Sequence, residues 1–238
     1  TVNAASATSG TNFNNISDML DALNVRGLCG PVVINFVNGS GPYTGDIILK
    51  DIRGLSAVNT LTLNGNGNQV EYNGTVAKPQ AFVMDNVSYV SVKNFIFKSL
   101  NTSYGWGALI SNNCQSDSIQ DCTFDMTSIT GTGSNNGNGI VVSGSYASAT
   151  TSTTNTSGLV IQNNIIMGNT PNQYGIYYGI SLVNASNSIV RNNNVQDFYY
   201  YGIYVTSGSN NQIMYNTIHK SNKTSATNSA AMGIYLSG

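Results

Sequence analysis

Four side chains capable of proton transfer or strong hydrogen bonding, Lys98, Asp125, Gln196 and His219, each directly follow the last apolar residue of a six-residue phrase that keeps returning along the chain. One step further on stand Asp197 and Lys220. A histidine between a carboxylate and an ammonium group is an arrangement for general acid–base chemistry. The simpler reading of the same residues is a surface histidine beside an exposed ion pair, contributing about 0–1 kcal/mol. Asp117, Asp121 and Asp125 recur every four residues, which suggests calcium. Calcium takes about six to eight oxygen ligands, and this spacing across a strand and a bend does not bring three carboxylates together. These residues are therefore read as turn and surface groups, and no metal or other cofactor is expected.

The aromatic residues carry a second chemistry. Seven of the fourteen tyrosines fall between Tyr174 and Tyr204. Trp106, Tyr178 and Tyr201 each stand immediately before the glycine of a second recurring phrase, while Tyr204 and Tyr235 lie within it at alternate positions. Trp106, Tyr178, Tyr201, Tyr204 and Tyr235 could form a platform for sugar rings, since an aromatic ring offers apolar contact and a phenol offers hydrogen bonds. An aromatic ladder that packs a loop onto a sheet is the competing reading of the same pattern.

Both sets of residues are positioned by repeats. The first phrase reads Val92-x-Asn94-x-x-Phe97, Ile119-x-Asp121-x-x-Phe124, Ile161-x-Asn163-Asn164-x-Ile166, Val190-x-Asn192-Asn193-x-Val195 and Ile213-x-x-Asn216-x-Ile218, at offsets of 27, 42, 29 and 23 residues. The second begins at Gly107, Gly139, Gly179, Gly202 and Gly233, at offsets of 32, 40, 23 and 31. Strands that hold their pattern while spacing varies indicate fixed rungs with loops of variable length, an all-β parallel solenoid of about seven coils. Alternation within each strand turns Ile203 and Val205 inward and Tyr204 outward. The segment from Asn15 to Gly27 reads as a helix, with Ile16, Leu20 and Leu23 at helical spacing, Asn15 as N-cap and Gly27 at the stop. Placed ahead of the coils, this helix within residues 1–30 is expected to cover the open end of a solenoid spanning 31–238. The polar stretches Thr130 to Asn138 and Ser145 to Gly158 are expected to protrude. The closing strand phrase at Gly233 has no cap after it, so the solenoid is expected to continue beyond residue 238.

Composition narrows the function. Charged residues make up 8% of the chain, against about 25% in a typical soluble protein, and Asn, Ser, Thr and Gly supply the polar surface instead. A net charge of −1 with nine scattered Lys and Arg leaves no basic stripe for nucleic acid. No apolar run approaches the ~18 residues of a membrane span. Cys29, Cys114 and Cys122 cannot all pair within the chain. Cys114 and Cys122 are near enough in sequence to form a disulfide in an oxidising compartment, although free cysteine is also a common small buried residue.

The repeated phrases, over about residues 30 to 238, resemble the parallel β-helix repeats of the pectin-lyase-like superfamily. The resemblance implies a right-handed coil and a ladder of stacked side-chain amides at a tight bend, matched here by Asn164, Asn193 and Asn216, while Phe95 and Cys122 depart from it. Phe13 to Tyr43, with Gly30-Pro31-Val32-Val33-Ile34-Asn35, is similar to the start of β-helix modules in large bacterial surface proteins exported by type IX secretion. Asp117-Ser118-Ile119 resembles a bacterial O-glycosylation signal, and eight Asn-x-Ser/Thr triplets occur, as expected by chance in so Asn-rich a chain. Enzymes of the superfamily carry acids and bases on the outward positions of the sheet that the glycine phrase forms. Here those positions read Leu109, Val141, Ser181, Tyr204 and Tyr235, then Ser111, Ser143, Val183, Thr206 and Ser237. Glycoside hydrolysis needs two carboxyl groups roughly 5–10 Å apart, and neither residue of such a pair is among them. The expectation is a non-catalytic extracellular β-helix segment of a surface protein or adhesin that contacts glycans or other cell-surface components. The alternative is a polysaccharide lyase or glycoside hydrolase whose catalytic residues lie in the loops or outside this stretch.

Overall fold

A computed structural model describes residues 1–170, 174–220 and 230–237. The chain winds through seven coils, each contributing one strand to each of three parallel seven-stranded sheets. The first sheet runs from Val32–Asn35 to Gln212–Met214, the second from Tyr43–Thr44 to Thr217–His219, and the third from Ile47–Lys50 to Met232–Ser237. Residues of like position lie in register from coil to coil, as in Ile119 with Ile161 and Val190 with Ile213. Tyr43–Thr44 escapes sequence reading because a strand of two residues is too short to show alternation.

Alternation explains the core. On the third sheet Ala108, Ile140, Ile180 and Ile203 point into the coil and are fully buried, joined from the second sheet by Phe97, Phe124, Ile166 and Val195. The recurring glycine follows from a close approach. A Cβ on Gly107 would stand 2.3 Å from the Phe124 ring, one on Gly139 2.5 Å from Ile166, one on Gly179 2.3 Å from Val195 and one on Gly202 2.3 Å from Ile218. Only a residue without a side chain lets the strand lie against the next turn's aliphatic or aromatic residue.

The bend between the first and second sheets accounts for the Asn phrase. Asn94, Asp121, Asn163, Asn192 and Tyr215 all adopt left-handed backbone angles, φ 54–58°, a conformation that Asn and Asp tolerate better than other side chains. The next residue turns inward. Asn164 and Asn193 are buried, and each donates its backbone N–H and its Nδ2 to the Oδ1 of the following rung at 3.0 Å, Asn164 to Asn193 and Asn193 to Asn216. Their Nδ2 groups also reach Ile119 O at 3.0 Å and Ile161 O at 2.9 Å. The ladder starts at Cys122, whose N–H donates to Asn164 Oδ1 at 3.0 Å. In earlier coils Phe36, Phe95, Phe97 and Phe124 fill the same interior by ring packing.

The helix spans Ile16–Arg26 with Asn15 as its N-cap, accepting from Asp18 N–H at 2.9 Å. It buries Ile16, Met19 and Leu23 against the first coil, and the expected Leu20 is partly buried against the same core. The edge of the first sheet is closed by Val2, which donates to Asn35 O at 2.9 Å and accepts from Val37 N–H at 2.8 Å. All three cysteines are free, with Cys114 and Cys122 buried and Cys29 exposed.

Ser145 to Gly158 does not protrude as expected. Its first half folds back as a strap over the outward face of the third sheet, burying Ala149 against Val83, Trp106, Leu109, Val141 and Tyr178. Leu109 and Val141 do point away from the coil, and covering them removes apolar surface from water. Gln80 Nε2 donates to Tyr146 O at 2.5 Å and Ser143 Oγ to Ser148 O at 2.6 Å, which holds the strap down.

Candidate functional site

The glycine-phrase sheet carries charged residues that the outward positions from Leu109 onward do not reveal. Lys50 and Asp85 stand on this sheet in the first and second coils and pair in register. Lys50 Nζ lies 2.9 Å from Asp85 Oδ2, and Tyr146 of the strap donates its hydroxyl to the same oxygen at 3.0 Å. The Asp85 charge raises the pKa of Lys50, and burial together with that charge raises that of Tyr146. The carboxylate is thus neutralised by an ammonium group and closed over by a phenol, an arrangement that fastens the strap.

The other ionisable residues are dispersed. Glu71, Lys98 and Asp125 follow one another on adjacent strands of the second sheet, and Gln196 and His219 pair further along the same row. Asp197 is buried and its N–H donates to His219 O at 2.9 Å. Lys220 donates to Tyr199 O at 3.2 Å and lies 5.2 Å above the Phe198 ring. Partial burial lowers its pKa, against the opposing charge of Asp197. The three aspartates at spacing four are separated: Asp121 accepts from Asn163 Nδ2, Asp125 from Thr127, and Asp117 is buried at the foot of the first sheet. Among the described residues, no three His, Cys, Asp or Glu side chains lie together as a metal site.

Asp117 Oδ1 accepts from Val90 N–H at 2.8 Å, whereas its Oδ2 has no hydrogen-bond partner. Burial pushes its pKa up to about 8, against the Val90 and Cys114 hydrogen bonds. Burial also holds Cys114 and Cys122 as neutral thiols, with pKa values pushed up to about 12.

The largest concentration of one chemistry is aromatic. Tyr178, Tyr201, Tyr204 and Tyr235 come together on the outward side of the third sheet, joined by Tyr174, Tyr177, Tyr199 and Tyr200 from the loops entering it. Those loops are fixed by backbone bonds: Tyr177 N–H to Gly137 O at 2.7 Å, Tyr199 N–H to Ile176 O at 2.6 Å and Tyr201 N–H to Tyr177 O at 2.9 Å. The rings stack coil upon coil as three pairs: Tyr177 on Tyr200 at 5.0 Å, Tyr178 on Tyr201 at 5.5 Å and Tyr204 on Tyr235 at 5.2 Å, all within 8° of parallel. Much of each ring face is therefore turned to another ring, so a ligand arriving from solvent meets ring edges and hydroxyl groups. Trp106 belongs to the same apolar cluster as Tyr178 but forms its covered end. It is fully buried beneath the strap, with Nε1 donating to Asn135 O at 3.0 Å, and presents no face to a ligand. Tyr178 is also buried, leaving Tyr201, Tyr204 and Tyr235 half-buried at the surface. The runs Tyr177-Tyr178 and Tyr199-Tyr200-Tyr201 were the sequence signal for the residues that the strand pattern alone passes over. Burial and neighbouring phenols raise the pKa of Tyr177 and Tyr201, keeping them neutral donors well above neutral pH.

Comparison with known proteins agrees with the winding. A family model described as a right-handed β-helix region matches residues 80–238. The chain belongs to the right-handed β-helix family. The matched stretch of this β-helix runs from the second coil to the seventh and includes the whole amide ladder and the tyrosine cluster. No curated protein and no solved structure matches the chain. Among the described residues, no helix of this β-helix is long and apolar enough to cross a membrane.

Proposed function

We propose that this chain is a non-catalytic, extracellular β-helix segment of a surface protein, an adhesin or stalk, that contacts carbohydrate through its tyrosine surface. The observation that carries the reading is the cluster of seven half-buried tyrosines gathered around buried Tyr178 on one side of the solenoid. Phenols offer hydrogen-bond donors and acceptors next to apolar ring edges, the combination that sugar hydroxyls and C–H faces require. The extracellular placement rests on the neutral Asn-, Ser- and Thr-rich surface and on the resemblance of the opening segment to type IX-exported modules.

The competing reading, a polysaccharide lyase or glycoside hydrolase, draws on one specific observation, the Lys50–Asp85–Tyr146 group on the sheet where β-helix enzymes keep their acids and bases. Asp85 is almost fully buried and already bound by both partners, and the carboxylate of neighbouring Asp51 is itself engaged by Asn86 Nδ2.

Affinity electrophoresis of the chain and of its Tyr201→Ala/Tyr204→Ala variant in gels containing neutral and acidic glycans tests the proposal. Retardation of the parent by at least one glycan, lost in a variant with unchanged circular dichroism, is the expected result. Equal migration of the two proteins in every gel sinks the carbohydrate contact. Depolymerisation of any of these glycans by the chain would show that it cuts.

A further inference from the structure

The eight tyrosines of the cluster form one connected web, with the centroids of touching rings 4.6–6.2 Å apart. A phenol is readily oxidised by one electron, and a radical formed on one ring of such a web passes to its neighbours until two rings couple. The pairs differ in their freedom to do so. Tyr178 with Tyr201, and Tyr204 with Tyr235, stack within strands hydrogen-bonded in register, where the strand spacing holds the rings apart. Tyr177 and Tyr200 instead stand on the bends just ahead of those strands, and both are half-buried, so an oxidant reaches their edges. Their rings lie 5.0 Å apart and 2° from parallel, the nearest to parallel among the described ring contacts. A modest tilt of either ring brings the carbons ortho to the hydroxyls together. Competing reductants are shielded, since Trp106 is sealed beneath the strap and Cys114 and Cys122 are buried, which leaves Cys29 as the exposed thiol.

We propose that Tyr177 and Tyr200 are an oxidative cross-linking site, at which hydrogen peroxide and a haem peroxidase join the two rings as dityrosine and fasten the fifth coil to the sixth. Each phenol gives up one electron and its hydroxyl proton to the oxidant. The two radicals form a carbon–carbon bond between positions ortho to their oxygens, and the two displaced ring hydrogens return to those oxygens as the rings regain aromaticity. Two hydrogen atoms leave the protein in all, and one peroxide takes them up to become two waters. The bond closes a loop between residues at an offset of 23 in the sequence, which restricts the unfolded chain as a disulfide does. It is independent of glycan contact through Tyr201 and Tyr204, whose rings it leaves intact.

The test treats the dilute chain, with Cys29→Ser to keep the exposed thiol from consuming oxidant, with a haem peroxidase and limiting hydrogen peroxide. The expected product is a monomer lighter by two hydrogens, with blue dityrosine emission and a peptide pair linked through Tyr177 and Tyr200 in tandem mass spectrometry. Its thermal midpoint should rise by about 5–10 °C over the untreated protein. Tyr200→Phe keeps the ring and its packing but cannot couple, so in that variant the linked pair and the rise should both vanish. Dityrosine found only between molecules, or in the monomer no more often at Tyr177 and Tyr200 than at Tyr89, Tyr104 and Tyr215, which stand outside the web, overturns the site. A linked monomer whose midpoint does not move overturns the fastening of the two coils.

Discussion

Asp117→Asn should make this protein more stable, and increasingly so as pH rises. Asp117 is buried, with one oxygen bound to Val90 N–H and the other without a partner, and its pKa rises from 3.8 to about 8 in the fold. A carboxyl group whose folded pKa lies above its unfolded value contributes most below the unfolded value, and that contribution is lost as pH rises through the folded one. Between about pH 4 and pH 8 the unfolded chain releases a proton that the folded chain retains, so stability falls by about 1.4 kcal/mol per pH unit. The difference of about four pH units corresponds to a total of roughly 6 kcal/mol from this one group. Asparagine preserves the acceptor for Val90 N–H and cannot ionise. Urea unfolding of both proteins at a series of pH values from 4.5 to 9, compared as the difference in unfolding free energy, isolates Asp117 from every other carboxylate. The difference should climb by about 1.4 kcal/mol per unit and level off near pH 8. A difference that stays flat from pH 5 to pH 8 would refute the argument that Asp117 is held neutral by burial.

Two further substitutions probe the repeat itself. Asn193→Ala removes the acceptor of two 3.0 Å bonds from Asn164 and the donor to Ile161 O, leaving buried groups unpaired. A loss of about 2–4 kcal/mol in urea unfolding is expected, since each unsatisfied buried group costs about 1–3 kcal/mol. Gly179→Ala should cost about 1–3 kcal/mol, because its Cβ would meet Val195 at 2.3 Å and Gly202 O at 2.5 Å.

Much of the scaffold was legible because the side-chain period of a strand is two and the coils repeat it. Ile203 and Val205 inside, Tyr204 outside and Asn15 as a helix cap all follow from spacing and elementary backbone preference. The strap was harder to see. Ser145 to Ser152 is polar enough to read as a free loop, and the clue lay on the strands, where Leu109 and Val141 set two apolar side chains facing outward. Lys50 and Asp85 were passed over because the clear glycine phrase begins only at Gly107, two coils after Lys50. The tyrosine surface was legible as a concentration of residues and not as a geometry. Sequence spacing placed Tyr204 and Tyr235 outward and Tyr201 just ahead of the strand glycine, while the parallel stacking of the rings depends on ring orientation, which no spacing encodes.

The one-way order of donors and acceptors along the amide ladder also links the stability of successive coils. In a solenoid each turn is stabilised chiefly by its neighbours, so an opening in one turn spreads to the next. The amide ladder then acts as a ratchet: releasing Asn216 frees two donors of Asn193, and releasing Asn193 frees two donors of Asn164. Asn216→Ala should therefore speed backbone amide exchange at Asn193, whose N–H it releases, and more weakly at Asn164 one rung further on.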